Sequence, residues 1–313
     1  MEDSTLKSRS FIAIIILVTL VALSAAIPVS WLGLKPQIGN SQYKIDVSSI
    51  KPKKDILTDS NGDGKITWKE VIDETLPMDE QTKANLKNEK VDPAAMAALN
   101  DPNNLTASFS KNLYLSASYL EKNGMTDEAS QKAVAQKLMA EEAAKIKPTI
   151  YTYKDIHVAK TETKESIKAY GNTIEPLLDG IITKKIITEQ VLALDAFSKN
   201  KDAAEASAKP FLLEKKQLDQ TLKKLELIEV PPSALIYHTE MLNKVAAYRD
   251  LVSNLSTMKD DPIRASLAAP SYINTSRGVI SIFEKYLTYF NIQNVVFSKN
   301  EPGYVFVIGY TLH

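Results

Sequence analysis

"PSALIYHTEMLNKVAAYRDLVSNL", Pro232 to Leu255, decides the fold. Met241, Val245, Tyr248, Val252 and Leu255 recur three and four residues apart, the spacing of one face of an α-helix. Pro232 stands at the first turn, where its missing N–H interrupts no intrahelical bond and its fixed φ favours the start. A helix this long with one apolar stripe needs other helices to cover that stripe. His238 falls on the same stripe, so it reads as a packed core or boundary residue rather than a metal ligand.

The same period extends outward. Upstream, Phe211, Leu218, Leu222 and Leu225 mark a helix that ends at "EVPPS". Before it, Ile187, Val191 and Leu194 belong to another. Ile167, Tyr170, Ile174, Leu177 and Ile181 belong to a third, opening near Thr163, with Pro176 expected to kink or interrupt it and Asp179-Gly180 to end it. "TIYTYKDIHVAK", Thr149 to Lys160, is β-branched, aromatic and alternating, so it predicts an extended segment or short strand. Still earlier, Phe109, Leu113, Ala117 and Leu120 form a helix closed at "KNG". Its partner is capped by Thr126 and runs to about Lys145, making a helical hairpin. Downstream, "DDPIRASLAAP" predicts a short helix between prolines, and Ile280, Phe283, Leu287 and Phe290 the last long one. The tail "NVVFSKNEPGYVFVIGYTL" predicts a small C-terminal β-hairpin with its turn at "KNEPG". Short loops and near-heptad periods predict a mainly α fold, an antiparallel helical bundle over 104–313.

Composition agrees. The chain has 313 residues, 44% of them hydrophobic, and just 10 glycines, a balance that favours helix and supports a buried core. Lys plus Arg equals Asp plus Glu at 38 each, which gives no broad basic face for nucleic acid. Cysteine is absent, which excludes disulfides, thiolate zinc sites and cysteine nucleophiles.

"SFIAIIILVTLVALSAAIPVSWLGL", Ser10 to Leu34, carries no charge. As helix it would span about 37 Å, more than the roughly 30 Å hydrocarbon core of a bilayer. Residues 10–34 therefore predict a transmembrane anchor or uncleaved signal, with 1–9 cytoplasmic and Trp31 at the interface. The alternative is a cleaved signal peptide, with Phe11 to Leu23 as its apolar region and Ser24 to Ala26 as its cleavage site. Either reading exports the remainder of the chain. The expected location is a single-pass membrane protein with its large domain extracytoplasmic and the lipid bilayer as a partner.

Between anchor and bundle, 35–103 holds "DSNGDGKITWKE" and a polar linker. Asp59, Asn61 and Asp63 are spaced as the first, third and fifth ligands of a calcium loop. Gly64 provides the sharp turn, Lys65 its backbone carbonyl, Thr67 the water-bridged position and Glu70 the bidentate carboxylate. The loop resembles the EF-hand family, which implies Ca2+ as cofactor bound by Asp59, Asn61, Asp63, Lys65, Thr67 and Glu70. It is also similar to dockerin loops, although Glu70 rather than Asp closes it and the loop is not repeated. Three carboxylates near Lys65 and Lys69 predict the weak affinity class, about 10⁻⁴ to 10⁻³ M. Such a site would be a structural clip, always filled in calcium-rich surroundings.

A broader likeness rests on the order anchor, calcium loop and helical body, with "VPPSALIYHTEMLN" and "NEPGYVF". In this the chain resembles membrane-anchored helical proteins of small-genome bacteria, a likeness that implies no activity.

No nucleophile elbow, P-loop, zinc-protease or dinucleotide motif occurs. His157, His238 and His313 have no partner at ligand spacing. Glu141-Glu142 and Asp260-Asp261 read as solvated surface or capping. The C-terminal aromatics Phe283, Tyr286, Tyr289, Phe290, Phe297, Tyr304, Phe306 and Tyr310 read as core around the hairpin. The expected protein is not an enzyme. It is a calcium-binding helical protein with a structural or interaction role at the cell envelope and a protein partner the sequence does not identify. A calcium-responsive sensor is the alternative and an envelope-associated enzyme the next.

Overall fold

A computed structural model describes residues 101–122, 127–181, 183–200 and 203–308. The expected anchor Ser10–Leu34 and the expected calcium loop Asp59–Glu70 lie outside the described residues, as do Tyr310 and His313. The chain divides into two compact units, Met1–Ile146 and Lys147–His313, so the segment 104–313 expected as one domain straddles their boundary. Among the described residues no helix is long and apolar enough to cross a membrane.

In the first unit, α1 (Leu105–Lys122) packs on α2 (Glu128–Ala143). Leu105, Phe109, Leu113 and Leu120 of α1 and Val134, Ala135 and Leu138 of α2 are buried. The cap of α2 is Asp127 rather than Thr126: its carboxylate accepts the Ser130 N–H at 2.9 Å and the Ser130 hydroxyl at 2.7 Å. Glu142 is not solvated surface, unlike Glu141. It is 1% exposed and bound by Lys145 at 2.7 Å and by the Ser108 hydroxyl of α1 at 2.8 Å.

The second unit contains β1 (His157–Val158), α3 (Lys164–Leu178), α4 (Lys184–Lys199), α5 (Ala204–Glu226), β2 (Glu229–Val230), α6 (Leu235–Leu255), α7 (Pro262–Ala268), α8 (Tyr272–Ile292) and α9 (Val305–Ile308). The two strands pair in parallel, His157 with Glu229 and Val158 with Val230. Helix α3 is capped by Thr163, which accepts the Ser166 N–H at 3.1 Å. It runs through Pro176 to Leu178 and stops at Gly180, whose φ of +80° suits glycine.

Helix α6 is the spine. Met241, Leu242, Val245, Ala246, Tyr248, Val252 and Leu255 are all buried, so its apolar face is wider than one stripe. Helices α5 and α8 both pack on it. Lys285 pairs with Glu240, and Lys244 donates to the Ser281 hydroxyl at 2.7 Å. Tyr237 packs on Tyr286 and Tyr289. The numbers rise on one helix as they fall on the other, so α6 and α8 are antiparallel. Tyr248–Glu214 and His238–Leu225 contacts give the same result for α5 and α6.

The tail is not a β-hairpin. Residues Pro302–Tyr304 form a 3-10 turn that leads into α9. The reason is aromatic packing. Phe306 is fully buried against Phe283, Tyr286 and Phe290. The Phe297 ring is wedged beside Gly171 and Gly303; a Cβ at Gly171 would lie 2.6 Å from it. A strand would turn alternate residues to solvent, whereas Phe297, Gly303 and Phe306 are all required on the inside. Pro302 at the first position of the turn and the Gly303 N–H, donated to Asn172 Oδ1 at 2.9 Å, complete it. Lys168 binds Glu301 at 2.8 Å and holds its carboxyl down to about 2.

Candidate functional site

The six residues expected to hold calcium, Asp59, Asn61, Asp63, Lys65, Thr67 and Glu70, lie outside the described residues. Their donors are hard oxygens, the chemistry a calcium ion takes. Among the described residues no group of three or more His, Asp or Glu side chains could hold a metal. His157 is exposed on β1 and His238 is buried in α6.

Two clusters of groups with perturbed chemistry lie in the core of the second unit. The first is built on Glu214, which is 3% exposed. It falls at the third residue after Phe211 and the fourth before Leu218, so it shares their inward face. Its carboxylate meets Gln190 Nε2 of α4, and the Tyr248 hydroxyl of α6 at 2.8 Å. Gln190 Oε1 accepts the Tyr272 hydroxyl of α8 at 2.5 Å and lies 3.2 Å from that of Tyr248. The carboxyl thus ties α5 to α4 and α6, and Gln190 extends the cluster to α8. Burial lifts it to about 7, against the two hydrogen bonds that favour its charge. Burial, with Glu214 next to both, also raises the Tyr248 and Tyr272 hydroxyls, which stay neutral.

The second cluster is built on His238, 1% exposed. Its Nε2 lies 3.2 Å from the Leu225 carbonyl in the last turn of α5. A carbonyl can only accept, so Nε2 carries the proton and Nδ1 accepts. Tyr170 therefore donates to Nδ1 at 2.9 Å, and Tyr286 donates to Tyr170 at 2.6 Å. The imidazole adds a bond to a helix-end carbonyl that also accepts the Ile228 N–H at 3.3 Å. Burial drops His238 to about 4, so it is neutral.

Three other features lie beside these clusters. The strap Thr149–Tyr151 is tied to α6 by side chains. Asp250 accepts the Thr149 N–H at 2.7 Å, and the Asn243 amide bonds both the N–H and the carbonyl of Tyr151 at 2.8 and 3.0 Å. This is how the expected extended segment is held before β1. On α3, burial, with Asp179 nearby, lifts Glu175 to about 7. Asp261 is the cap of α7, accepting the Arg264 N–H at 3.2 Å.

Sequence reasoning finds His238 and Tyr170 as core but passes over Glu214, Gln190 and Glu175. The signal is present for Glu214: a carboxylate on an apolar stripe is either bonded inside or misplaced. Gln190 offers a similar one, three residues after Ile187. No family model, no curated protein and no solved structure matches this chain.

Proposed function

We propose that this is a membrane-anchored, extracytoplasmic, calcium-binding helical protein whose role at the cell envelope is structural, displaying its helical units to a protein partner. The observation that carries the reading is the ligand spacing from Asp59 to Glu70, next to an uncharged run of membrane length at Ser10–Leu34. The ion would clip the segment between anchor and helices. Its ligands Asp59, Asp63 and Glu70 repel one another when empty and converge when filled, so binding contributes folding free energy locally.

The core chemistry of the second unit is compatible with such a scaffold. Glu214 and His238 spend their polar atoms on Gln190, Tyr248, Tyr170 and Leu225. Perturbed groups that are satisfied this way hold helices together, whereas a general acid or base must present its proton to a substrate.

Titration calorimetry of the full chain in detergent tests the proposal. Calcium should bind once, with a Kd of about 10⁻⁴ to 10⁻³ M, and Glu70→Gln should abolish the heat. No binding at millimolar calcium would overturn it, and micromolar affinity would favour the sensor instead.

A further inference from the structure

The strap Thr149–Tyr151 is held the way a bound peptide is held. The Asn243 amide exchanges two bonds with one residue, taking the Tyr151 N–H at 2.8 Å and donating to its carbonyl at 3.0 Å. A neighbouring β-strand would supply the same pair. Asp250 accepts the Thr149 N–H at 2.7 Å and its hydroxyl at 3.2 Å, and Arg249 donates to that hydroxyl oxygen at 3.1 Å. Glu226, at the end of α5, accepts the Tyr151 phenol at 2.5 Å. Asn243 and Asp250 stand seven residues apart, so they share one face of α6. Thr149 and Tyr151 are read, whereas Ile150 between them is 69% exposed, the alternation of an extended chain. The side chains of α5 and α6 thus recognise an extended backbone that carries a hydroxyl and, two residues on, a phenol.

Apolar burial fastens this segment little. Among residues 147–160 none is buried, and Tyr151 and Ile156 are half-buried against the core. Helix α6 beneath keeps its own buried face, so the segment can leave while the helices stay packed. Its position suits departure. It opens the second unit, directly after the boundary at Ile146. Behind β1, residues 160–163 are all exposed, and Glu162 ties them to the unit by accepting the Ser233 N–H at 2.8 Å. Pro148 restricts its own φ and the conformation of Lys147, which keeps the approach extended and lowers the entropy lost on docking.

We propose that this face of α5 and α6 is a receptor for an extended chain, and that its second occupant is the strap of another copy of this protein, so that two copies exchange residues 149–158. The fit names the occupant, because every copy carries the one segment already matched to Asn243, Asp250, Arg249 and Glu226. Strand β1 travels with the strap and pairs with β2 of the other copy, as it does at home. An exchange remakes each of these bonds in both copies and closes at two copies about a two-fold axis. Local concentration, rather than new contacts, then sets the balance between a strap at home and a strap exchanged. The exchange goes beyond the calcium reading and does not involve the ion.

A labelled synthetic peptide of residues 147–156, titrated with the full chain in detergent, tests the receptor. Thr149→Val with Tyr151→Phe weakens the home strap, and that variant should bind the peptide saturably below about 1 mM, the range of effective concentration a short tether provides. The wild type, with its own strap in place, should bind at least about tenfold more weakly. Adding Asn243→Ala and Asp250→Ala should abolish binding. No saturable binding to the strap variant, or binding that survives the loss of Asn243 and Asp250, overturns the receptor. Light scattering of the unmodified full chain decides the occupant without any substitution. It should show a dimer whose share grows with concentration and which excess peptide converts to monomer. A monomer at every concentration, or a dimer that the peptide leaves unchanged, overturns the exchange.

Discussion

Two polar clusters lie in one core, and they answer to pH in opposite directions. Around His238 the network is complete when the ring nitrogen Nδ1 is bare, because it must accept from Tyr170. Around Glu214 the carboxyl accepts from the Tyr248 hydroxyl and the Gln190 amide, and burial outweighs both and lifts it to about 7. Burial drives both groups to neutrality, an acid upward and a base downward. Neither is matched with an opposite charge, so the cost of desolvation wins over any pairing. The lesson is that this core tolerates polar side chains by keeping them uncharged. Its two linkage slopes oppose each other where their titration windows overlap.

The comparison can be broken most forcefully at Glu214. Glu214→Ala leaves the Gln190 and Tyr248 donors without their acceptor and opens a cavity among four helices. Urea unfolding should report a loss of about 4 kcal/mol. A loss below about 1 kcal/mol would mean the cluster contributes little to the fold.

The pH sign of His238 comes next. Its folded value, about 4, lies below the ordinary 6.5. Over that window the folded state binds fewer protons than the unfolded, so stability is lost as pH falls from about 6.5 to about 4. Against the non-titrating His238→Asn, the wild type should lose up to about 3 kcal/mol across it. Glu214, raised rather than lowered, has its stabilisation in full below about 4.5 and loses it as pH rises through about 7. Parallel slopes for the two clusters would sink the comparison.

Direction within the histidine chain gives a smaller contrast. Tyr170→Phe strands both His238 Nδ1 and the Tyr286 hydroxyl, and should cost about 2 kcal/mol. Tyr286→Phe removes the last donor of the chain and strands nothing, and should cost about 1 kcal/mol. Equal losses would show that the donors do not run from Tyr286 through Tyr170 to His238.

The helices are legible in the sequence because their apolar period is strong. The stripes at 211–225 and 241–255 fall in the core. In α8 half of the expected stripe, Phe283 and Phe290, is buried; Ile280 and Leu287 are half-buried, and Val279, Ile282 and Tyr286 are inside as well. An aromatic-rich helix offers several faces of similar hydropathy, and α6 together with Phe306 selects among them. The C-terminal hairpin fails for a related reason. Alternation in "YVFVIGY" fits a strand, but Phe297 between two glycines and Phe306 on the α8 aromatics are contacts between residues distant in sequence, which local pattern cannot supply. Buried polar residues are hidden by the same habit. Glu142, Glu214 and Glu175 fall to the solvated side when charge is weighed before position. The proposed calcium loop is the converse case, its ligand spacing written in twelve consecutive residues with no distant partner in the pattern.

The proposed role of calcium shares that locality: the ion would act on the segment between the expected anchor and the helices and leave the helical core, satisfied by its own side chains, as it is. Hydrogen exchange of the full chain in calcium and in chelator measures this directly. Protection should rise with calcium across Ile56 to Leu76 and be unchanged from 147 to 308. A calcium-dependent change spread through α5, α6 and α8, or none at Ile56 to Leu76, would contradict the account.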